Sequence, residues 1–89
     1  MRTPAQRRNL LILRDEILPG IAEGALDMRH LSSCLIGHAR ASRKLWYLES
    51  SYELFGIDNS QWRHIFSLCL PNDPSWLAAN ITDLLEADI

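Results

Sequence analysis

The residues best suited to chemistry are a cysteine and a histidine four positions apart, Cys34 and His38. On one helix this spacing places both side chains on the same face, as metal ligands or a thiolate–imidazole pair require. His64 and Cys69 form a second pair, and the two pairs together supply the ligand types of a structural zinc site. The five-residue step of the second pair turns its side chains away from a common face, and standard zinc-finger spacing is absent. We therefore expect buried cysteines without a metal, because free cysteine is among the most buried residue types.

An enzyme built on these residues would need more than a thiol and an imidazole. A hydrolase that used Cys34 and His38 would also require an orienting acid or amide, an oxyanion hole and a cleft. A helical chain of 89 residues offers little room for a cleft. The sequence contains no HExxH, phosphate-binding glycine loop, Gly-x-Ser-x-Gly or paired-carboxylate motif. We expect neither enzymatic activity nor a cofactor.

Basic and aromatic side chains occur together near the middle of the chain. The members of this basic/aromatic face are Arg40, Arg43, Lys44, Trp46 and Tyr47. Cations beside aromatic rings suit the phosphates and bases of a nucleic acid, and they also suit an acidic protein surface. A net charge of −2 and the lack of a helix-turn-helix with a basic recognition helix argue against nucleic acid. A solvated surface without a partner is the structural alternative.

Charge is divided unevenly along the chain. Residues 1–45 carry a net charge of +4 and residues 46–89 a net charge of −6. A fold that separates the halves could steer a charged partner or associate head to tail with a second copy, whereas interleaved halves would neutralise each other. The acidic half supplies an alternative partner-binding set that could imitate nucleic-acid phosphates. This acidic face comprises Asp58, Asp73, Asp83, Glu86 and Asp88.

Two helices are predicted in the basic half. The sequence Thr-Pro-x-Gln at residues 3–6 is a capping box with proline at the first helical position, and Pro19-Gly20 ends the helix that follows. A serine at 32 or 33 is predicted to cap a helix that contains Cys34 and runs to about Arg43. Gly37 lies inside this helix, where glycine usually permits the close approach of a neighbouring helix.

Three more helices are predicted in the acidic half. Residues 50–53 form a second capping box, and Gly56 suits the left-handed position that ends a helix. Asp58 starts a helix whose apolar spacing continues to Pro71, and Asp73-Pro74 starts the last one. Only residues 45–48 are ambiguous between helix and strand.

These patterns predict an all-α, compact single-domain bundle of about five short helices that spans residues 1–89. No apolar run approaches the roughly 18 residues that cross a bilayer, and the N-terminus lacks the apolar core of a signal peptide. We therefore expect a cytoplasmic protein that does not contact membranes.

The segment Cys34-Leu35-Ile36-Gly37-His38-Ala39 resembles the Cys-x-x-Gly-His-Ala segment of a group of small, mostly uncharacterised bacterial and phage proteins. Blocks similar to residues 52–66 and 73–81 follow it in that group, so the resemblance covers about three quarters of the chain. The related proteins carry an earlier Cys-Gly-Thr, where this chain has Leu31-Ser32-Ser33. The resemblance implies a helical fold and a phage or mobile-element setting, and it implies no known reaction.

Together these observations predict a non-enzymatic phage or mobile-element protein that binds and inhibits a host protein or nucleoprotein complex. An anti-CRISPR protein is the most concrete form of this hypothesis. The alternative is a small nucleic-acid-binding regulator that uses Arg40, Arg43 and Lys44 and loses its ligand steeply with added salt. A third hypothesis is a zinc- or thiol-dependent module built on Cys34 and His38.

Overall fold

The computed structural model describes residues 1–45 and 50–87. Within these ranges helices account for 57% of the residues, and no strand is present. The five α-helices are α1 (Pro4–Ile12), α2 (Leu35–Ser42), α3 (Ser51–Phe55), α4 (Asn59–Ile65) and α5 (Pro74–Glu86). They pack around one core with a Cα radius of gyration of 11.9 Å. The predicted all-α bundle of short helices is confirmed.

Helix α1 begins at the predicted capping box. The Thr3 side chain accepts a hydrogen bond from the backbone N–H of Gln6, and the Gln6 side chain accepts one from the backbone N–H of Thr3. The helical path continues beyond Ile12 into a π-helical turn, Leu13–Ile17, which the sequence pattern did not predict. The path ends just before Pro19-Gly20, as predicted.

Helix α2 begins later than predicted. Neither serine caps it: Cys34 is the N-cap residue, with an extended backbone, so Cys34 lies before the helix and not inside it. Ser33 instead closes a turn, in which its carbonyl accepts a hydrogen bond from the N–H of Asp27. This turn is also what Gly37 accommodates, because a Cβ at Gly37 would lie 2.5 Å from the carbonyl carbon and oxygen of Ser32. The prediction that Gly37 permits the close approach of another helix was wrong, because the backbone that approaches it belongs to this turn.

Helices α3 and α4 start as predicted and differ in how they end. Gly56 ends α3 with a φ of 67°, the left-handed conformation that glycine adopts without a steric penalty. Asp58 caps α4 by accepting hydrogen bonds from the backbone N–H groups of Ser60 and Gln61. The predicted extension of α4 to Pro71 was wrong, because the helix ends at Ile65 and a turn follows it.

Helix α5 begins at Asp73 and Pro74 as predicted, and the Asp73 side chain accepts hydrogen bonds from the N–H groups of Ser75 and Trp76. It is the longest of the described helices, with 13 residues. Its apolar stripe is buried and comprises Leu77, Ile81, Leu84 and Leu85.

Aromatic residues join α3 to α4 in the core. The ring centroids of Phe55 and Phe66 are 5.9 Å apart, and those of Trp62 and Phe66 are 4.7 Å apart, both pairs being tilted. Phe55 and Phe66 are buried, and the half-buried Trp62 packs against the core from outside. The Trp62 indole therefore contacts the core on one side and solvent on the other.

Polar side chains at the start of the chain satisfy the carbonyl end of α3. The Nε atom of Arg2 donates to the carbonyl oxygen of Phe55 at 2.7 Å, and the side-chain amide of Asn9 donates to that of Leu54 at 2.8 Å. The side-chain amide nitrogen of Gln6 lies 3.4 Å from the carbonyl oxygens of both Tyr52 and Glu53. The last carbonyl groups of a helix have no hydrogen-bond donor within the helix. Here Arg2, which precedes α1, and two residues of α1 provide the donors for α3.

The end of α5 is satisfied from the same side. Arg2 donates to the carbonyl oxygen of Leu84 at 3.2 Å, and Arg7 donates to that of Leu85 at 3.0 Å. Arg14 reaches the hydroxyl of Thr82 at 3.1 Å. Three basic residues of the N-terminal half are thus bonded to the C-terminal half, so the oppositely charged halves interleave here.

Candidate functional site

The Cys34 and His38 side chains both hydrogen-bond to backbone carbonyls. Cys34 is 1% exposed, and its Sγ atom donates to the carbonyl oxygen of Leu31 at 3.5 Å. The Nε2 atom of His38 lies 2.9 Å from the carbonyl oxygen of Ala25, to which it donates. Each side chain therefore fastens part of the preceding loop to α2. Within residues 1–45 and 50–87, no group of three or more His, Cys, Asp or Glu side chains is placed to hold a metal ion.

The described members of the basic/aromatic face are Arg40, Arg43 and Lys44, all exposed at the C-terminal end of α2. Trp46 and Tyr47 lie outside the described residues. The Nζ atom of Lys44 is 3.0 Å from a carboxylate oxygen of Glu16, which joins the end of α2 to the π-helical turn. Cations at this end of a helix also interact favourably with its dipole.

Arg43 has an unusual backbone for its residue type. Its φ of 58° and ψ of 15° are left-handed, and its N–H donates to the carbonyl of Arg40 at 3.2 Å to close the helix. Glycine usually occupies such a position, because a side chain there costs about 1 kcal/mol. Arg43 is the one non-glycine residue with a positive φ in the described part of the chain.

Two members of the acidic face cap helices. Asp58 and Asp73 accept backbone hydrogen bonds at the starts of α4 and α5. A hydrogen bond of 2.6 Å from the Ser60 hydroxyl, together with the backbone N–H groups, holds the pKa of Asp58 below its ordinary value. Asp83 and Glu86 are exposed on α5, and Asp88 lies outside the described residues. The proposed imitation of phosphates by this face stays a prediction.

An apolar groove that the sequence analysis missed lies between the turn before α2 and the segment after α4. Its volume is about 490 Å³. Five large apolar side chains form most of the wall, and Cys34, Arg63, Ser67 and Cys69 complete it. The five are Leu31, Ile36, Trp62, Phe66 and Leu68. We call this the Leu31–Leu68 groove.

Two leucines at the groove are exposed to solvent, although the fold buries most of its leucines. Leu31 is 79% exposed and Leu68 is 47% exposed. Below them the wall reaches the core, since Phe66 is 2% exposed and Cys34 1%. Both leucines lie in turns, and no local sequence signal relates one to the other.

The charge in the described wall of the groove is basic. Of the described residues in its wall, Arg63 is the one that is charged, and it is exposed on the last turn of α4. The exposed residues Arg29 and His30 directly precede Leu31. The nearby carboxylate of Asp27 accepts the N–H of Arg29 and lies 3.4 Å from the His30 ring.

The fold and the groove define a small all-α protein with a solvent-facing apolar surface. No protein-family model, curated protein or solved structure matches the chain. Among the described helices, none combines the length and the apolar character that crossing a bilayer requires.

Proposed function

We propose that this chain is a non-enzymatic protein-binding module and that the Leu31–Leu68 groove is its contact surface. The observation that carries the proposal is the exposure of Leu31 and Leu68 beside an apolar groove that reaches the core. Apolar patches rimmed by polar groups commonly mark interaction sites in small proteins. A partner that covers them gains about 25 cal/mol for each Å² of apolar surface removed from water.

The setting that we propose comes from the resemblance described above. In a phage or mobile element, a protein-binding module of this size would act by occupying a host protein or nucleoprotein complex and inhibiting it, as an anti-CRISPR protein does. The exposed end of α2, with Arg40 and Arg43, would add a second contact to an acidic part of the same partner.

The test is a pull-down from a bacterial lysate in two arms, with and without nuclease, followed by mass spectrometry. Three baits are compared: the unchanged chain, Leu68→Ser in the groove, and Leu11→Ser as a control. Leu11 is also exposed, at 38%, and lies on α1. We expect the unchanged chain and Leu11→Ser to retain the same stoichiometric protein after nuclease, and Leu68→Ser to retain about tenfold less of it.

Equal recovery by Leu68→Ser and the unchanged chain would refute the groove as the contact surface. Recovery that nuclease abolishes would instead favour the nucleic-acid-binding regulator, for which Arg43→Glu is the diagnostic variant. Urea denaturation of each bait checks that the substitutions leave the fold intact, as expected for exposed positions.

A further inference from the structure

We infer that the Leu31–Leu68 groove takes an acidic, apolar segment of its partner: two apolar side chains that enter the groove and an aspartate or glutamate beside them that pairs with Arg63. This inference rests on the proposed function and specifies the chemistry of the partner.

The apolar part of the inference follows from the wall. A volume of about 490 Å³ is within the range of pockets that hold compact ligands, and it is bounded mostly by aliphatic and aromatic carbon. The wall is formed from two separate segments, with Leu31 on one and Leu68 on the other. Side chains inserted between these leucines would contact apolar surface on both sides, and apolar anchors of this kind carry most of the energy in protein interfaces.

The acidic part follows from charge complementarity. The Arg63 guanidinium makes no hydrogen bond or ion pair to any residue in ranges 1–45 and 50–87, so its five donors remain available to a partner. Among the described residues that line the groove, none carries a carboxylate, so no acidic side chain of the wall competes for Arg63. The described wall of the groove therefore carries one positive charge, on a chain with a net charge of −2.

An ion pair between Arg63 and a carboxylate of the partner is favourable because apolar side chains surround the guanidinium in the groove. A carboxylate that meets a guanidinium beside apolar side chains forms charge-assisted, bidentate hydrogen bonds, which are stronger than those between neutral groups. Partial exclusion of water by the inserted anchors strengthens the pair further. A basic segment would meet repulsion at the same position, so the groove discriminates between charges.

The experiment selects peptides about 12 residues long from a random display library, with the full chain as bait. We expect enriched sequences to share two apolar residues next to Asp or Glu. The best synthetic peptide is then titrated by fluorescence anisotropy. Arg63→Glu and Leu68→Ser should each weaken its affinity about tenfold or more, which corresponds to about 1.4 kcal/mol. The control Arg8→Glu makes the same charge change at an exposed position outside the groove and should leave the affinity unchanged.

A second peptide, with lysine in place of each acidic residue, provides the charge-swap test. We expect it to bind Arg63→Glu more tightly than the unchanged chain. Bound acidic peptide should also slow alkylation of Cys69, which lines the groove.

Enriched peptides that depend on Leu68 but carry no acidic preference would overturn the inference and leave the proposed function standing. No enrichment, or binding that is independent of Leu68, would also overturn it. Sedimentation that reveals a dimer dissociated by Leu68→Ser would assign the groove to a second copy of the chain and overturn the inference as well. Failure of the proposed function itself is detected separately, in the lysate comparison.

Discussion

The Nε atom of Arg2 donates a hydrogen bond of 2.7 Å to the carbonyl oxygen of Phe55, 53 residues further along the chain. Phe55 is the last residue of α3, a helix of only five residues that would not persist alone in water. The Arg2 side chain is buried to 7% exposure and also contacts Leu84 and Gln61. One guanidinium therefore connects the ends of two helices.

We expect Arg2→Ala to lower the free energy of unfolding by about 2–3 kcal/mol, because it removes charge-assisted hydrogen bonds and leaves buried carbonyls without a donor. Arg2→Lys should recover only part of this, since an ammonium lacks the planar fork that serves several acceptors. Urea denaturation measures the effect. Arg8→Ala, at an exposed position, is the control and should change stability by less than about 0.5 kcal/mol. Equal stability of the Arg2 and Arg8 variants would contradict the assignment.

Gly37→Ala reverses the usual effect of replacing a helical glycine. Alanine ordinarily stabilises a helix interior by about 0.5–1 kcal/mol, but here its Cβ would overlap the backbone of Ser32. We expect a loss of about 1–3 kcal/mol as the turn is displaced. Gly24→Ala is the comparison, because a Cβ there meets open space and only the positive φ of 80° is unfavourable. A Gly37→Ala chain more stable than the unchanged one would show that the turn moves away freely.

Arg43 tests the left-handed end of α2. We expect Arg43→Gly to be more stable than Arg43→Ala by about 1 kcal/mol, because both lose the side chain and only glycine adopts a φ of 58° without strain. Thermal denaturation of the two variants measures the difference directly. Equal melting temperatures would mean that the chain relaxes at this position.

Asp58 makes the stability of the fold depend on pH in the acidic range. Its pKa in the folded chain is lowered, first by the Ser60 hydroxyl and then by the N–H of Gln61. The stabilisation is therefore present above the ordinary aspartate pKa of about 4 and is lost as the pH falls through the lower folded value. We expect Asp58→Asn, which caps without titrating, to show a smaller drop in melting temperature between about pH 6 and about pH 3. Asp15, whose pKa Arg14 lowers, preserves part of the drop. An identical drop in both chains would refute this role.

The two cysteines should differ in reactivity because Cys34 is buried and Cys69 is exposed. We expect Ellman's reagent to modify Cys69 rapidly in the folded chain and Cys34 only on unfolding. Colorimetric titration before and after addition of guanidinium chloride, with Cys69→Ser as the control, measures this. Rapid modification of Cys69→Ser in the folded state would show that the turn before α2 opens readily.

The starts of α1, α4 and α5 could be predicted because their signals are local, whereas α2 has no side-chain cap and its start was predicted too early. Thr3, Asp58 and Asp73 each bond to backbone groups within three residues, so sequence spacing alone locates them. The predicted end of α4 was wrong. Apolar residues continue to Leu70 at a spacing that suits a helix, whereas the helical backbone ends before Phe66.

The groove and the role of Arg2 depend on contacts between distant segments. Leu31 and Leu68 are 37 positions apart, and neither has a neighbour in sequence that reveals the other. Arg2 has the appearance of a solvated N-terminal cation until Phe55 and Leu84 are placed beside it. The prediction of buried cysteines rested on residue statistics; it is confirmed for Cys34 and wrong for Cys69, which lies in an exposed turn after α4. The function stays a proposal.

The bonds from Arg2 and Arg7 to α5 also constrain how the chain folds during synthesis. The carbonyl groups of Leu84 and Leu85 leave the ribosome more than seventy residues after the side chains that bond to them. Until then, Arg2 and Arg7 cannot form these bonds, and the contacts between α1 and α5 are missing. Completion of the fold therefore waits until α5 has been synthesised.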